Sequence, residues 1–281
     1  TLPASTGFTS VKENIGDVKN TGFDAYLTYT PWRNTKDRSF FTLTAAVSHN
    51  KNKITGISDA MKQYNKKQDE IASDRYENRP VQKYYEGVSM TAIWAVKSLG
   101  IDPATGKEVY LKRNGEKTFV WDAVDKVPMG DSQPKWNGSI SSSFLYKNWS
   151  MNLAFTYSLG AHIYNQTLVD KIENSSAAYN LDRRALSHRW SENNRNARYK
   201  AITMTNQDTG MSSRFAQKRN ELSFTSLAIG YRFDPKNFKF LQACRIASMS
   251  LNATMEELGR ISSIRTERGL DYPFARTFNV S

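Results

Sequence analysis

In the stretch "WSMNLAFTYSLG", Trp149, Met151, Leu153, Phe155, Tyr157 and Leu159 alternate with Ser150, Asn152, Ala154, Thr156, Ser158 and Gly160. Period two over twelve residues predicts a β-strand with one apolar and one polar face. The pattern recurs six times. "GFDAYLTYTPW" sets Phe23, Ala25, Leu27 and Tyr29 against Asp24, Tyr26, Thr28 and Thr30, and "FFTLTAAVSHN" sets Phe41, Leu43, Ala45 and Val47 against Thr42, Thr44, Ala46 and Ser48. "WNGSISSSFLYK", "FTSLAIGYRF", "CRIASMSLNATM" and the last residues, 277–281, alternate in the same way. Leu222 and Phe224 fall on the wrong parity for their strand, which predicts a bulge or the end of the apolar band there.

The connections alternate between short ones, near residues 33–38, 147–149 and 234–242, and long ones, near 53–135, 165–218 and 256–272. Short turns on one side and long loops on the other is the pattern of an outer-membrane barrel. The apolar parity carries no charge in mid-strand, where Lys or Arg facing lipid would cost about 2–4 kcal/mol; Arg245 is expected at a strand start. Opposite it lie Ser, Thr, Asn, Gly and Ala with Asp24 and Arg232, a wet interior. Trp32, Phe40, Phe41, Tyr146, Trp149, Tyr231 and Phe233 gather beside the short turns, as an aromatic girdle would.

Composition narrows the field. Of 281 residues, 39% are hydrophobic and mean hydropathy is −0.63. No apolar run reaches the length of about 18 residues that a membrane helix needs. One cysteine, Cys244, and three scattered histidines match no zinc spacing, and no phosphate loop or nucleophile elbow is present. The net charge of +12 lies mostly between strands; residues 165–220 hold ten Lys/Arg and five Asp/Glu. With no recognition helix beside them, these read as a solvated surface and not as a nucleic-acid site. The chain opens in a loop and stops inside an alternating run, which reads as a piece of something longer.

The stretches "ENIGDVKNTGFDAYLTYTP", "FTLTAAVSHNKNKITGI", "GIDPATGKEVY", "SSRFAQKRNELSFTSLAIGYRF" and "GLDYPFARTFNVS" resemble the carboxyl-terminal part of the SusC/RagA family of TonB-linked outer-membrane transporters. Residues 14–22, "HNKNKI" at 49–54 and "YPFART" at 272–277 carry the most specific likeness. The resemblance implies an all-β antiparallel transmembrane barrel of about 22 strands with a plugged lumen. Residues 1–281 would supply its last seven strands and long extracellular loops, without the plug. It further implies TonB and a SusD-like lipoprotein as partners, outer-membrane lipid and lipopolysaccharide as surroundings, and import of oligosaccharide or, alternatively, peptide. The run "YLKRNGEKTFVWDAVD" departs from the family: Lys112, Arg113 and Lys117 stand where carboxylates are expected, so no metal is expected there. No cofactor and no catalytic residue is implied.

Asp24, Tyr26, Asn152 and Thr156 are the candidates to line the lumen. Trp94, Arg189 and Trp190 are candidates for contact with partner or substrate in the outer loops, each weighed against ordinary loop packing; for Trp94 that means a small core inside the loop. Asp102, Pro103, Thr105 and Gly106 read as a turn. Cys244 reads as an inert wall residue. Two rival readings remain: a soluble β-sandwich binding glycans at the cell surface, with strands covered on both faces, and a β-rich hydrolase using carboxylates such as Asp122 and Asp125.

Overall fold

A computed structural model describes residues 16–75, 82–175, 182–202, 209–265 and 276–281. In chain order, β1 (Gly16–Asn34) and β2 (Ser39–Ile57) make a hairpin, and α1 (Asp59–Arg75) follows. Four shorter strands come next: β3 (Ala92–Ile101), β4 (Glu108–Leu111), β5 (Lys117–Thr118) and β6 (Lys126–Asp131). Then come β7 (Trp136–Tyr146), β8 (Trp149–Tyr164), β9 (Ala216–Phe233), β10 (Met249–Ser262) and β11 (Thr277–Val280).

The chain divides into two units. One holds Gly22–Asn50, Gln133–Ile163 and Gln217–Ser281; the other holds Thr1–Thr21, Lys51–Ser132 and Tyr164–Ala216. They are described separately.

The first unit is built on a seven-stranded sheet ordered β1-β2-β7-β8-β9-β10-β11, antiparallel at β2–β7, β7–β8, β9–β10 and β10–β11. All seven alternating stretches of the sequence are strands of this sheet. Register keeps the parities together: Leu43 opposes Ser142, which opposes Leu153, while Thr42 opposes Ser143, which opposes Asn152. Thr28 and Thr44 hydroxyls lie 3.4 Å apart and Thr30 and Thr42 3.0 Å apart, so β1 joins on the same polar side. Among the described residues of this unit no second sheet covers either face. Leu27, Leu43, Ile140, Leu251 and Phe278 stay exposed, and Leu153, Phe155 and Leu227 are only half-buried. A sandwich would have buried them.

The bulge expected at Leu222 and Phe224 lies instead on the partner strand: where β9 advances two residues, from Ser226 to Phe224, β10 advances three, from Glu256 to Gly259. Register between β9 and β10 shifts between Glu256 and Gly259, and Glu257 takes φ 55°. Other expectations needed correction. Strand β10 begins at Met249, not at Cys244, because a short helix, Lys239–Ala243, occupies the connection. Cys244 is therefore an exposed helix-end residue and no part of the wall, and Arg245, at φ 54°, lies in the turn before the strand. The "YPFART" stretch up to residue 275 lies outside the described residues.

The second unit contains what looked like two long loops. A four-stranded sheet ordered β5-β4-β3-β6 packs its apolar residues into a core with Tyr164, Val169, Ile172, Ala185, Tyr199, Met211 and Phe215. Residues 92–96, "AIWAV", are all buried. No described helix is long and apolar enough to cross a membrane, which says nothing against strands doing so.

Candidate functional site

The polar face of the large sheet is a diffuse surface. Asp24 and Tyr26 on β1 and Asn152 and Thr156 on β8 are all exposed, Tyr26 at 72%. Strands β2 and β7 separate the two pairs, three strand spacings or about 14 Å. They share a face, but the structure does not bring them to one point. Asn152 accepts a hydrogen bond from the Ser143 hydroxyl at 2.8 Å, and Thr156 opposes Ser139.

The apolar face carries two aromatic clusters, one of which sequence reasoning missed. Beside the short turns, Trp32 lies 6.4 Å from both Phe144 and Tyr146, Trp149 lies 4.7 Å from Tyr231, and Tyr231 lies 4.9 Å from Phe233. At the other end, Phe23, His49 and Trp136 form a second group with ring centroids 4.4–5.9 Å apart. The His49 Nδ1 lies 2.6 Å from the Lys135 carbonyl oxygen. Trp136 and Tyr146 are ten residues apart on β7, about 34 Å along the strand. At a tilt of about 40° that spans about 25 Å, the height of a barrel's apolar band between its girdles. Only cross-strand register assembles Phe23 with His49 and Trp136, which is why the sequence did not show it.

At the short-turn end of the polar face is a cavity of about 550 Å³ bordered by Arg38, Lys147, Asn148, Ser150, Arg232 and Asn252. Adjacent hairpins create it. Lys147 opens the two-residue β7–β8 turn at φ 54°, a conformation disfavoured outside glycine, and its N–H is held by the Ser39 hydroxyl at 3.1 Å. The Arg232 N–H donates to the Asn148 carbonyl at 2.9 Å, fixing the end of β9 to that turn. Gly230 makes room for the polar groups: a Cβ there would lie 2.6 Å from both Ser150 Oγ and Asn252 Oδ1.

In the loop unit the candidate side chains are used by the chain itself. Trp94 is 4% exposed; its indole N–H donates to the Lys83 carbonyl at 3.1 Å, and Tyr85 lies 5.0 Å from its ring. Arg189 is 6% exposed, and its guanidinium donates to the carbonyls of Ala185, Ile172, Glu173 and Lys200. Neither can reach a partner unless the unit opens. Trp190 is half-buried and packs on the "DPATG" turn: its N–H donates to the Pro103 carbonyl at 3.0 Å. That turn is as expected, with Asp102 accepting from Thr105 Oγ1 at 2.6 Å and Gly106 at φ 70°. Asp122 caps a short helical turn through the Val124 N–H, and Asp125 accepts the Arg113 N–H, so both serve local backbone.

A buried ion cluster closes this unit. One Arg214 nitrogen donates to Glu108 at 2.6 Å and to Glu173 at 2.7 Å, while Ser212 and Tyr110 hydroxyls also donate to Glu108. Burial alone would raise the Glu108 carboxyl, but the Arg214 charge and the hydrogen bonds outweigh it and hold the group below its ordinary value. Burial and the neighbouring Glu108 charge push the Tyr110 hydroxyl up. The cluster joins residues more than one hundred positions apart, and nothing local in the sequence announces it.

Comparison with known proteins agrees with this architecture. No family model matches the chain. TonB-dependent receptor P39 of Formosa agariphila is 22% identical over 294 aligned residues, covering 92% of this chain and 28% of that protein. TonB-dependent receptor P3 of the same organism is 27% identical over 255, covering 84% and 24%. The chain thus spans about a quarter of the length of these relatives. The structure of the RagAB peptide transporter matches with TM-score 0.70 at 18% identity, over 94% of this chain and 28% of the matched one. The RagAB peptide importer in its "open-open" state matches with TM-score 0.70 at 17% identity, over 92% and 27%. The seven-stranded sheet is accordingly a segment of an antiparallel β-barrel wall.

Proposed function

We propose that this chain belongs to the SusC/RagA family of TonB-linked outer-membrane proteins, as its TonB-dependent relatives and its fold support, and that it forms the carboxyl-terminal barrel wall and outer loops of a nutrient importer. One observation carries the reading: an antiparallel sheet whose uncharged, uncovered apolar face is bounded by aromatic clusters about 25 Å apart, backed by a polar face of Ser, Thr and Asn. Lipid solvates the first face and the aqueous lumen the second. In this account Asp24, Tyr26, Asn152 and Thr156 line the lumen, and Trp190 lies among the loops that meet a SusD-like lipoprotein. The chain's role is mechanical, with no covalent chemistry, and TonB would drive transport through parts of the protein outside this chain.

Oligosaccharide is the cargo proposed from the family resemblance. Peptide is the second reading, favoured by the likeness to the RagAB peptide transporter structures. Uptake of labelled oligosaccharides and peptides by cells bearing the full-length protein tests both. Uptake that requires the protein and disappears without TonB is expected; uptake unaffected by loss of TonB contradicts the proposal.

A further inference from the structure

The cavity at the short-turn end of the polar face has an unbalanced charge. Arg38, Lys147 and Arg232 border it, against a single carboxylate, Asp234. Asp234 is already engaged: it accepts the Lys236 N–H at 2.9 Å within its own turn. No described carboxylate pairs with Arg38, Lys147 or Arg232. The Lys147 ammonium lies 5.3 Å from the Tyr146 ring centroid, a weak substitute for a counter-charge. Cations gathered in a concave site attract anions more strongly than the same charges scattered over a convex surface.

The lining suits a polypeptide more than a bare ion. Asn148, Ser150, Ser250 and Asn252 border the same cavity and offer amide and hydroxyl groups. Ser150 and Asn252 converge over Gly230, where a side chain would fill the space between them. At about 550 Å³ the cavity is within the range of a binding pocket. The groups come from three hairpins that only the sheet order brings together, and Ser39 and Asn148 hold two of the turns by backbone hydrogen bonds.

We propose that this basic cup seats an acidic polypeptide segment inside the barrel, its carboxylates meeting Arg38, Lys147 and Arg232. The inference rests on the reading of the polar face as the barrel interior. The segment is identified by its chemistry: two or more Asp or Glu side chains in an extended stretch, hydrogen-bonded through its amides to the Asn and Ser groups.

Photo-cross-linking in the full-length protein, within outer-membrane vesicles, tests it. A benzophenone–maleimide probe is placed on Ser250→Cys with other cysteines removed, including Cys244→Ser, and the linked product is identified by mass spectrometry. The expected product is a peptide rich in Asp and Glu. Its yield should fall at least about fivefold in Arg38→Glu/Arg232→Glu, in line with losing two exposed ion pairs. The yield should be kept in Arg232→Lys, and should fall when salt rises from about 0.05 M to about 0.5 M. The salt series uses the labelled protein alone and needs no charge variant to fold. Linkage to phospholipid, to a segment without acidic residues, or with a yield indifferent to charge and salt overturns the proposal. If cargo uptake persists in that case, the import reading stands and only the cup's occupant is wrong.

Discussion

The Tyr157 hydroxyl donates to the Ala46 carbonyl oxygen, 3.0 Å away and two strands over, by lying across the bare backbone of Gly138. Tyr157 and Gly138 oppose one another on the apolar parity. A hydroxyl facing hydrocarbon with no acceptor would cost several kcal/mol. The ring thus supplies apolar surface while its polar tip finds a partner within the wall, and it ties β8 to β2 across β7.

That geometry makes Gly138 intolerant of a side chain. A Cβ would fall 2.0 Å from the Ala46 oxygen and 2.6 Å from the Tyr157 hydroxyl. Gly138→Ala should destabilise the wall by about 1–3 kcal/mol, and Tyr157→Phe by about 1 kcal/mol. Urea titration of the full-length protein in lipid vesicles reads both, and an unchanged midpoint for Gly138→Ala would refute this packing.

The two faces should respond oppositely to charge. Leu153→Arg, near mid-strand on the apolar face, should cost about 2–4 kcal/mol of folding in a bilayer. Ser141→Lys on the polar face should cost much less. Equal penalties for the two would mean that both faces meet the same medium.

Arg214 holds two buried carboxylates in the loop unit, so removing it leaves both without their cation. Arg214→Ala should cost about 3–5 kcal/mol there, seen as faster proteolysis within residues 92–131 while the barrel stays intact. The pH dependence has a definite sign. The Glu108 carboxyl is held below its ordinary value by Arg214, so the stability it contributes is complete above the ordinary carboxylate range and is lost as pH falls through its depressed value. Loop protection measured by hydrogen exchange should hold through mild acid and fail only at lower pH. A loss near neutrality would contradict the ion cluster.

Gly106 combines φ 70° with a Trp190 ring atom 2.5 Å from where a Cβ would sit. Gly106→Ala should therefore strain the backbone and displace the indole, at a cost of about 1–3 kcal/mol. Increased cleavage of the 102–107 turn would report it, and a turn as resistant as before would show that Trp190 does not depend on the glycine.

The strands were legible because each is read locally. Leu153 and Phe155 face one way and Asn152 and Thr156 the other by the pleat alone. Phe224 shows how far this reaches: its wrong parity marked an irregular place in the ladder, but only the structure shows that the extra residue belongs to β10 and that the Phe224 ring stacks 4.6 Å from Phe155. The loop unit was legible only as an apolar run around Trp94 and a turn at Asp102–Gly106. Its sheet and the Glu108–Arg214–Glu173 cluster depend on contacts between distant segments, as do the Phe23–His49–Trp136 group and the basic cup. Loop packing was the alternative weighed for Arg189, but not its depth: a charged residue in a polar stretch is usually exposed, and here helix-end and loop carbonyls draw it inward.

Nitroxide labels on the full-length protein in lipid vesicles test the central claim most directly, through collision with oxygen, which concentrates in the bilayer, and with a water-soluble nickel chelate. Labels at Leu43→Cys, Leu153→Cys and Leu227→Cys should favour oxygen, with the opposite preference at Ser141→Cys. Labels at the three leucine positions that meet neither reagent, or that meet mainly the nickel chelate, would place the apolar face against protein or water and contradict the membrane wall.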